Sequence, residues 1–284
     1  MINCGLILEG GGMRGLYTAG VLDYFIDNNY YFKDCLAVSA GACHACSYIS
    51  GQKGRAFRIN VDYINDKRYG GFSHWIKTGD FFNIDMHLNI IPNKLDLYDY
   101  DAFNNRGTAL YVVATNCITG QPEYLKINDI RKDINAVWAS SSLPLMSREM
   151  KYKGSLYLDG GISDPLPIKK SIMLGNKKNV VILTRQAGYT KEPDKLLPIL
   201  RMHYGKKYPH VVAAMAKRSI VYNQALKFIE QGEKDGTVFV IRPSATPNIG
   251  RLEKNKGKLE RLYEMGYTDA ENKGRKLKKF ISDL

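Results

Sequence analysis

Ser39 stands in Ala37-Val38-Ser39-Ala40-Gly41, with an apolar stretch before it and a run of small residues after it. That spacing places a serine where a strand turns into a helix. It resembles the nucleophile elbow G-x-S-x-G, which exposes a hydroxyl on a sharp turn. Ala37 takes the place of the first glycine, and one methyl fits a tight turn if φ stays negative. A serine opening a helix is also a common N-cap, so further groups are needed before the position becomes a site.

Two other segments supply such groups. Glu9-Gly10-Gly11-Gly12-Met13-Arg14-Gly15 lies between an apolar strand and a helix. Glycines there let the backbone approach a ligand, with N–H groups and the positive end of a helix turned toward negative charge. Gly10 to Gly15 also fit G-x-G-x-x-G, for which the acidic residue about 20 positions on has only a loose candidate in Asp34. No Gly-Lys-Ser/Thr follows, so the loop is not a Walker phosphate loop. An oxyanion site, a dinucleotide site and a tight turn all remain open from the loop alone. The second segment is Lys151 to Pro167, KYKGSLYLDGGISDPLP, where a strand ends in Asp159 before Gly160-Gly161. A carboxylate at a strand end can reach a neighbouring elbow and, in a dry pocket, gain basicity. Asp-Gly is also an ordinary turn pair, and Asp164, ahead of Pro165, reads as a turn or cap.

The elements that must hold these residues alternate. Strands are predicted at Cys4–Glu9, Cys35–Val38, Ala109–Thr115, Glu123–Ile127, Ser155–Leu158, Asn179–Thr184 and Val238–Arg242. Helices are predicted from Leu16 through Ile26, then at Ala40–Ile49, Ile130–Ser141, Leu166–Leu174, Lys195–Tyr204, Pro209–Gln231 and Arg251–Leu284. Strand–helix alternation implies an α/β sandwich with a largely parallel sheet. Gly188 and Pro193 interrupt the pattern, which divides the chain into residues 1–187 and a basic, mainly helical extension at 188–284 that can pack on the core.

EGGGMRG, then AVSAG, then ASSSLPLMSREMKYKGSLYLDGGISDPLP resemble, in order, the motifs of the bacterial patatin-like phospholipases. ATNCITGQPEYL is similar to that family's central strand and turn, and the likeness extends over roughly Ile2 to Arg185. The resemblance implies a three-layer α/β sandwich and a Ser–Asp hydrolase acting on acyl esters of lipids, with no metal and no cofactor. By position, it makes Ser39 the nucleophile and Asp159 the general base. It makes the Gly11, Gly12 and Met13 amides the oxyanion hole, with Arg14 as the family's arginine in that loop. Gly10, Gly15, Ala37, Gly41, Gly160 and Gly161 support the motifs. Ala37 and the C-terminal third depart from the pattern, and the latter leaves substrate choice open.

Composition limits the alternatives. The 284 residues are 44% hydrophobic and 24% charged, an ordinary globular balance. Forty-one Lys and Arg against 28 Asp and Glu leave a net charge of +13. Met1–Ser142 holds 13 basic and 14 acidic residues, whereas Leu143–Leu284 holds 28 and 14. The excess favours anionic partners. The preferred use is peripheral contact with an anionic membrane surface, at about 1 kcal/mol per well-placed cation. A non-enzymatic module binding RNA or acidic membrane is the alternative, although no nucleic-acid motif is present and no nucleic acid is expected. Five cysteines, an odd number, point to a reducing cytoplasm. MINCGLILEGGG has no signal-peptide pattern, so a cytoplasmic protein is expected, with contact at the inner membrane face. Cys43-His44-Ala45-Cys46 lacks a second ligand pair and reads as core. Ser39, Asp159 and His203 or His210 follow the order of an α/β-hydrolase triad, but both histidines lie in the divergent third. Oligomeric state is not legible.

Overall fold

A computed structural model describes residues 1–283. It contains β1 (Ile2–Leu8), α1 (Leu16–Asp27), β2 (Phe32–Val38), α2 (Ala40–Ile49), α3 (Arg55–Val61), α4 (Phe72–Thr78) and α5 (Tyr100–Asn105). Next come β3 (Ala109–Asn116), β4 (Pro122–Ile127), α6 (Ile130–Ser140), β5 (Met150–Tyr152) and β6 (Ser155–Asp159). The chain continues through α7 (Ile168–Met173), β7 (Asn179–Ile182), α8 (Leu197–Tyr204), α9 (Pro209–Lys234), β8 (Val238–Ile241) and α10 (Lys256–Ser282).

The fold is α/β, a central sheet with helices on both faces. Strand pairing runs β5-β6-β3-β2-β1-β7-β8, and β4 pairs with β3 as well. Pairs among β3, β2, β1, β7 and β8 are parallel, while those of β3 with β4 and β6 are antiparallel. Both faces of β1 are covered from Cys4 to Leu8, which is why that stretch lacks polar side chains rather than alternating. Leu6 and Leu8 face a core shared with α1, α2, α6 and α10. Ile7 faces the opposite core, where Leu166 and Ile168 meet Tyr222, Leu226 and Ile229 of α9.

The C-terminal third is woven into this body. β8 extends the sheet beside β7, and α10 crosses α1 backbone to backbone. A Cβ on Gly20 would overlap the Tyr263 carbonyl, and one on Gly266 would overlap the carbonyl of Tyr17. Tyr17 Oη also donates to Asp269 at 3.0 Å, and Tyr263 Oη to Asp23 at 2.5 Å.

Most elements lie within a few residues of the sequence expectation. β1 and β2 begin earlier because Ile2 already pairs with Phe32. α10 begins five residues after Arg251, at the Asn255 cap, whose side chain accepts from Lys258 N at 3.0 Å. Leu284, included in the expected last helix, lies outside the described residues. No periodic pattern announced residues 51–107, which form three short helices and a π-helical segment, Met86–Leu95, with Pro92 inside it.

Candidate active site

The register of β3 brings Ser39 and Asp159 together. One edge of β3 pairs with β4 from Leu110 to Thr115. The other edge pairs with β2 as far as Val38↔Val113, and from Ala114↔Asp159 it pairs with β6. The chain leaves β2 at Ser39, and β6 takes over the vacated edge with Asp159 at its end. Thr115 Oγ1 donates to the Asp159 carbonyl at 2.8 Å, and Asp159 N donates to Ser142 O at 2.8 Å.

Ser39 has φ 55° and ψ −127°, a conformation that L side chains rarely adopt. Its N–H donates to Ser140 Oγ at 2.8 Å, and close contacts on both sides hold the turn. A Cβ on Gly10 would sit 2.7 Å from Ser39 Cβ, and one on Gly41 2.9 Å from the Leu8 and Glu9 carbonyls. Ala37 lies one pleat earlier, fully buried in the main core, so its methyl occupies apolar space rather than the turn.

Ser39 Oγ donates to Asp159 Oδ2 at 2.5 Å. The other carboxylate oxygen, Oδ1, accepts from Gly161 N at 2.7 Å. Asp159 is 1% exposed, and burial raises its pKa above the ordinary carboxylate range, against the hydrogen bond from Ser39 and the charge of Arg218. Gly160 has no room for a side chain, because a Cβ would overlap the Val113 carbonyl.

The glycine loop forms the facing wall of the same cavity, which has a volume of about 40 Å³. Among the described residues, the N–H groups of Gly11 and Gly12 have no hydrogen-bond partner. Met13 N differs: it donates to the Arg251 carbonyl at 3.1 Å, and Arg14 N closes a turn onto Gly11 O at 3.3 Å. Of the amides expected to face the cavity, then, two are free and that of Met13 is engaged by the loop ahead of α10. Gly12 has φ +58°, and a Cβ there would meet the Arg251 carbonyl at 2.6 Å. Gly15 packs on the His44 ring.

Several lining groups had no signal in the sequence. Glu9 is buried, accepting from Thr184 N at 2.6 Å, from Thr184 Oγ1 at 3.0 Å and from Tyr222 Oη at 2.7 Å. Arg185, Lys191, Arg218 and Arg251 all face the cavity from residues beyond the motif-bearing part. Arg218 Nε donates to Gly161 O at 2.5 Å, on the turn that holds Asp159. An apolar cavity of about 120 Å³ opens alongside, lined by Leu143, Ile162, Leu200, Met215 and Leu252 and sharing Asp159, Arg218 and Arg251 with the first.

Other candidate residues lie elsewhere. Neither His203 nor His210 lines the cavity, and no histidine bonds to Ser39 or Asp159. Asp34 lies near the start of β2, at the far end from Ser39, whereas a dinucleotide's ribose partner belongs at a strand's carboxyl end. Cys43 Sγ contacts Ser141 Oγ at 3.4 Å and Cys46 Sγ the Ala42 carbonyl at 3.4 Å. Both cysteines border a separate cavity of about 330 Å³. Asp164 accepts from Tyr124 Oη at 2.7 Å. Among the described residues, no three His, Cys, Asp or Glu side chains converge as metal ligands, and no helix is long and apolar enough to cross a membrane.

Residues 6–171 match the family model described as patatin-like phospholipase, and residues 208–282 match a domain of unknown function, DUF6363. The chain is 27% identical over 242 residues to the uncharacterized protein YjjU of Escherichia coli K12, covering 84% of this chain and 68% of that protein. It is 28% identical over 191 residues to the probable lipid hydrolase 463L of invertebrate iridescent virus 6, covering 61% and 65%. The chain thus spans about two thirds of the length of each relative. Among solved structures it is similar in fold to VipD from Legionella pneumophila, with a TM-score of 0.53 at 14% identity, covering all of this chain and 67% of that one.

Proposed function

The chain belongs to the patatin-like phospholipase family, and we propose that it hydrolyses carboxyl esters of lipids through Ser39 and Asp159, by way of an acyl-enzyme. The observation that carries this reading is the 2.5 Å hydrogen bond from Ser39 Oγ to Asp159 Oδ2 inside a cavity lined by unpartnered glycine amides.

Asp159 takes the hydroxyl proton as Ser39 Oγ attacks the ester carbonyl. The oxyanion that forms is received by the Gly11 and Gly12 amides. Collapse breaks the bond to the alcohol, which leaves with the proton returned by Asp159. Water then attacks the acyl-serine with Asp159 again accepting a proton, releasing a fatty acid and restoring the serine. The bond from Gly161 N keeps Asp159 Oδ1 occupied and leaves Oδ2 for the proton. The apolar cavity beside Asp159 suits the acyl chain.

Leu196, which lines that apolar cavity, and Ile199 and Met202 along α8 are exposed, at 50%, 46% and 81%. They suit α8 to lie on a lipid surface, with the basic C-terminal half adding attraction to anionic headgroups. Co-sedimentation with vesicles should increase with anionic lipid content and fall with salt; binding indifferent to both rejects the docking.

A fluorophosphonate probe, with the adduct mapped by mass spectrometry, tests the hydrolase reading. Labelling at Ser39 that is lost in Ser39→Ala is the expected result. Full hydrolysis of a p-nitrophenyl ester by Ser39→Ala overturns it.

A further inference from the structure

The Ser39 cavity is lined by five cations, Arg14, Arg185, Lys191, Arg218 and Arg251, and by two carboxylates, Glu9 and Asp159. Among the described residues, none of the five forms an ion pair with a carboxylate. Both carboxylates are committed, Glu9 to Thr184 and Tyr222, Asp159 to Ser39 and Gly161. The Arg14 guanidinium makes no hydrogen bond to protein; the residue is 8% exposed, and its Nε is buried without a partner. Such a donor is costly to leave unmade.

Neighbouring rings hold two of the other cations without occupying their donors. The Arg185 guanidinium lies over Tyr189 at 4.6 Å, and Lys191 Nζ over Tyr222 at 5.0 Å. Arg218 spends only Nε, on Gly161 O. The crowding affects their acidity. Burial, then Arg218 and Arg251, draws Lys191 down to about 7, and burial, then Arg185 and Arg251, draws Arg14 down to about 10. Four of the five cations come from residues outside the 6–171 family match. They surround a cavity small enough to favour a compact anion.

We propose that Arg14, Arg185, Lys191, Arg218 and Arg251 form a subsite for a dianionic phosphomonoester, so that the preferred lipid bears a bare terminal phosphate, as in phosphatidic or lysophosphatidic acid. This rests on the hydrolase reading of Ser39. A phosphomonoester carries about two negative charges above pH 6 or so and three strong acceptor oxygens. It matches the surplus positive charge and the guanidinium forks better than the single charge of a phosphodiester headgroup. In such lipids the phosphate is a few bonds from the ester carbonyl, and the same cavity is lined by the cations and by Ser39.

The test compares phosphatidic acid with phosphatidylglycerol of identical acyl chains, in neutral-detergent mixed micelles at pH 7, with a p-nitrophenyl ester alongside. Phosphatidic acid should lead by about tenfold or more in kcat/KM, the scale of one charged hydrogen bond. The lead should shrink in Arg185→Gln and separately in Lys191→Met, through KM more than kcat. Neither variant should lower Tm, since each relieves repulsion between cations. Equal rates on both lipids, with the p-nitrophenyl ester cleaved, overturn the subsite and leave the hydrolase intact. Silence on all three substrates overturns the hydrolase reading and the subsite with it. Inorganic phosphate that inhibits without any preference between the lipids assigns the pocket to free phosphate and overturns the headgroup proposal.

Discussion

The two walls of the Ser39 cavity are built by different means. One wall is backbone: the Gly10–Gly12 loop, the Ser39 turn and Gly160-Gly161, each at a position where an added Cβ meets neighbouring atoms. The other wall is long side chains, Arg185, Lys191, Arg218 and Arg251, carried on a post-strand segment, α9 and a loop. The first wall is fixed to within a methyl group and suits the placing of reacting atoms. The second can shift by a rotamer and suits the holding of a charged, variable part of a ligand.

The difference can be attacked wall by wall. Ser39→Ala should lower kcat/KM on a p-nitrophenyl ester by at least about a thousandfold, with the fold retained by circular dichroism. A smaller loss removes Ser39 from the reaction. Asp159→Asn should lose on the order of 10²–10⁴-fold, the usual range for a general base. Its wild-type carboxyl is raised in pKa by burial, and only the ionised form accepts a proton. Activity should therefore fall on acidification from a higher pH than an exposed aspartate would give, and stay level above it. A pH–rate profile between 4 and 8 reads this, and the Asn variant should lack that limb.

Gly12→Ala places a methyl against the Arg251 carbonyl at a position with φ +58°. A loss of about a hundredfold is expected if the loop holds the oxyanion, mostly in kcat. On the side-chain wall, Arg218→Gln should cost about tenfold or less, the scale of one charged hydrogen bond to the turn at Gly161. If Arg218→Gln outweighs Gly12→Ala, the contrast between the walls is wrong. Replacing His203 and His210 together should change nothing, because neither lines the cavity.

The same contrast explains what could be read in advance. Backbone constraints leave glycines at fixed offsets, so the loop and the elbow were visible at Gly10–Gly15 and Ala37–Gly41. Spacing showed Asp159 only as a strand end, and its role as base came from the family resemblance, since its approach to Ser39 depends on β3 changing partners between Val113 and Ala114. No local pattern encodes such an exchange. Arg218 is one of the 28 basic residues of Leu143–Leu284 and carries no sign of its place, because in sequence a cation turned inward on α9 looks like one turned outward. Met13 N was expected to face the cavity, and its bond to Arg251 O joins residues 238 positions apart. Residues 51–107 stayed silent because their helices are too short for a clear 3.6 period and Pro92 interrupts one of them.

The backbone-to-backbone crossing at Gly20 and Gly266 also bears on timing. α1 follows directly on the glycine loop, yet the surface it offers at Gly20 is covered only by α10, 246 positions later. At roughly 5–20 residues per second of synthesis, about 12–50 s separate the two glycines at the ribosome. For the last 107 of those positions the nascent chain already holds both Ser39 and Asp159, with one flank of α1 uncovered. The fold around the glycine loop would then settle only once α10 has been made.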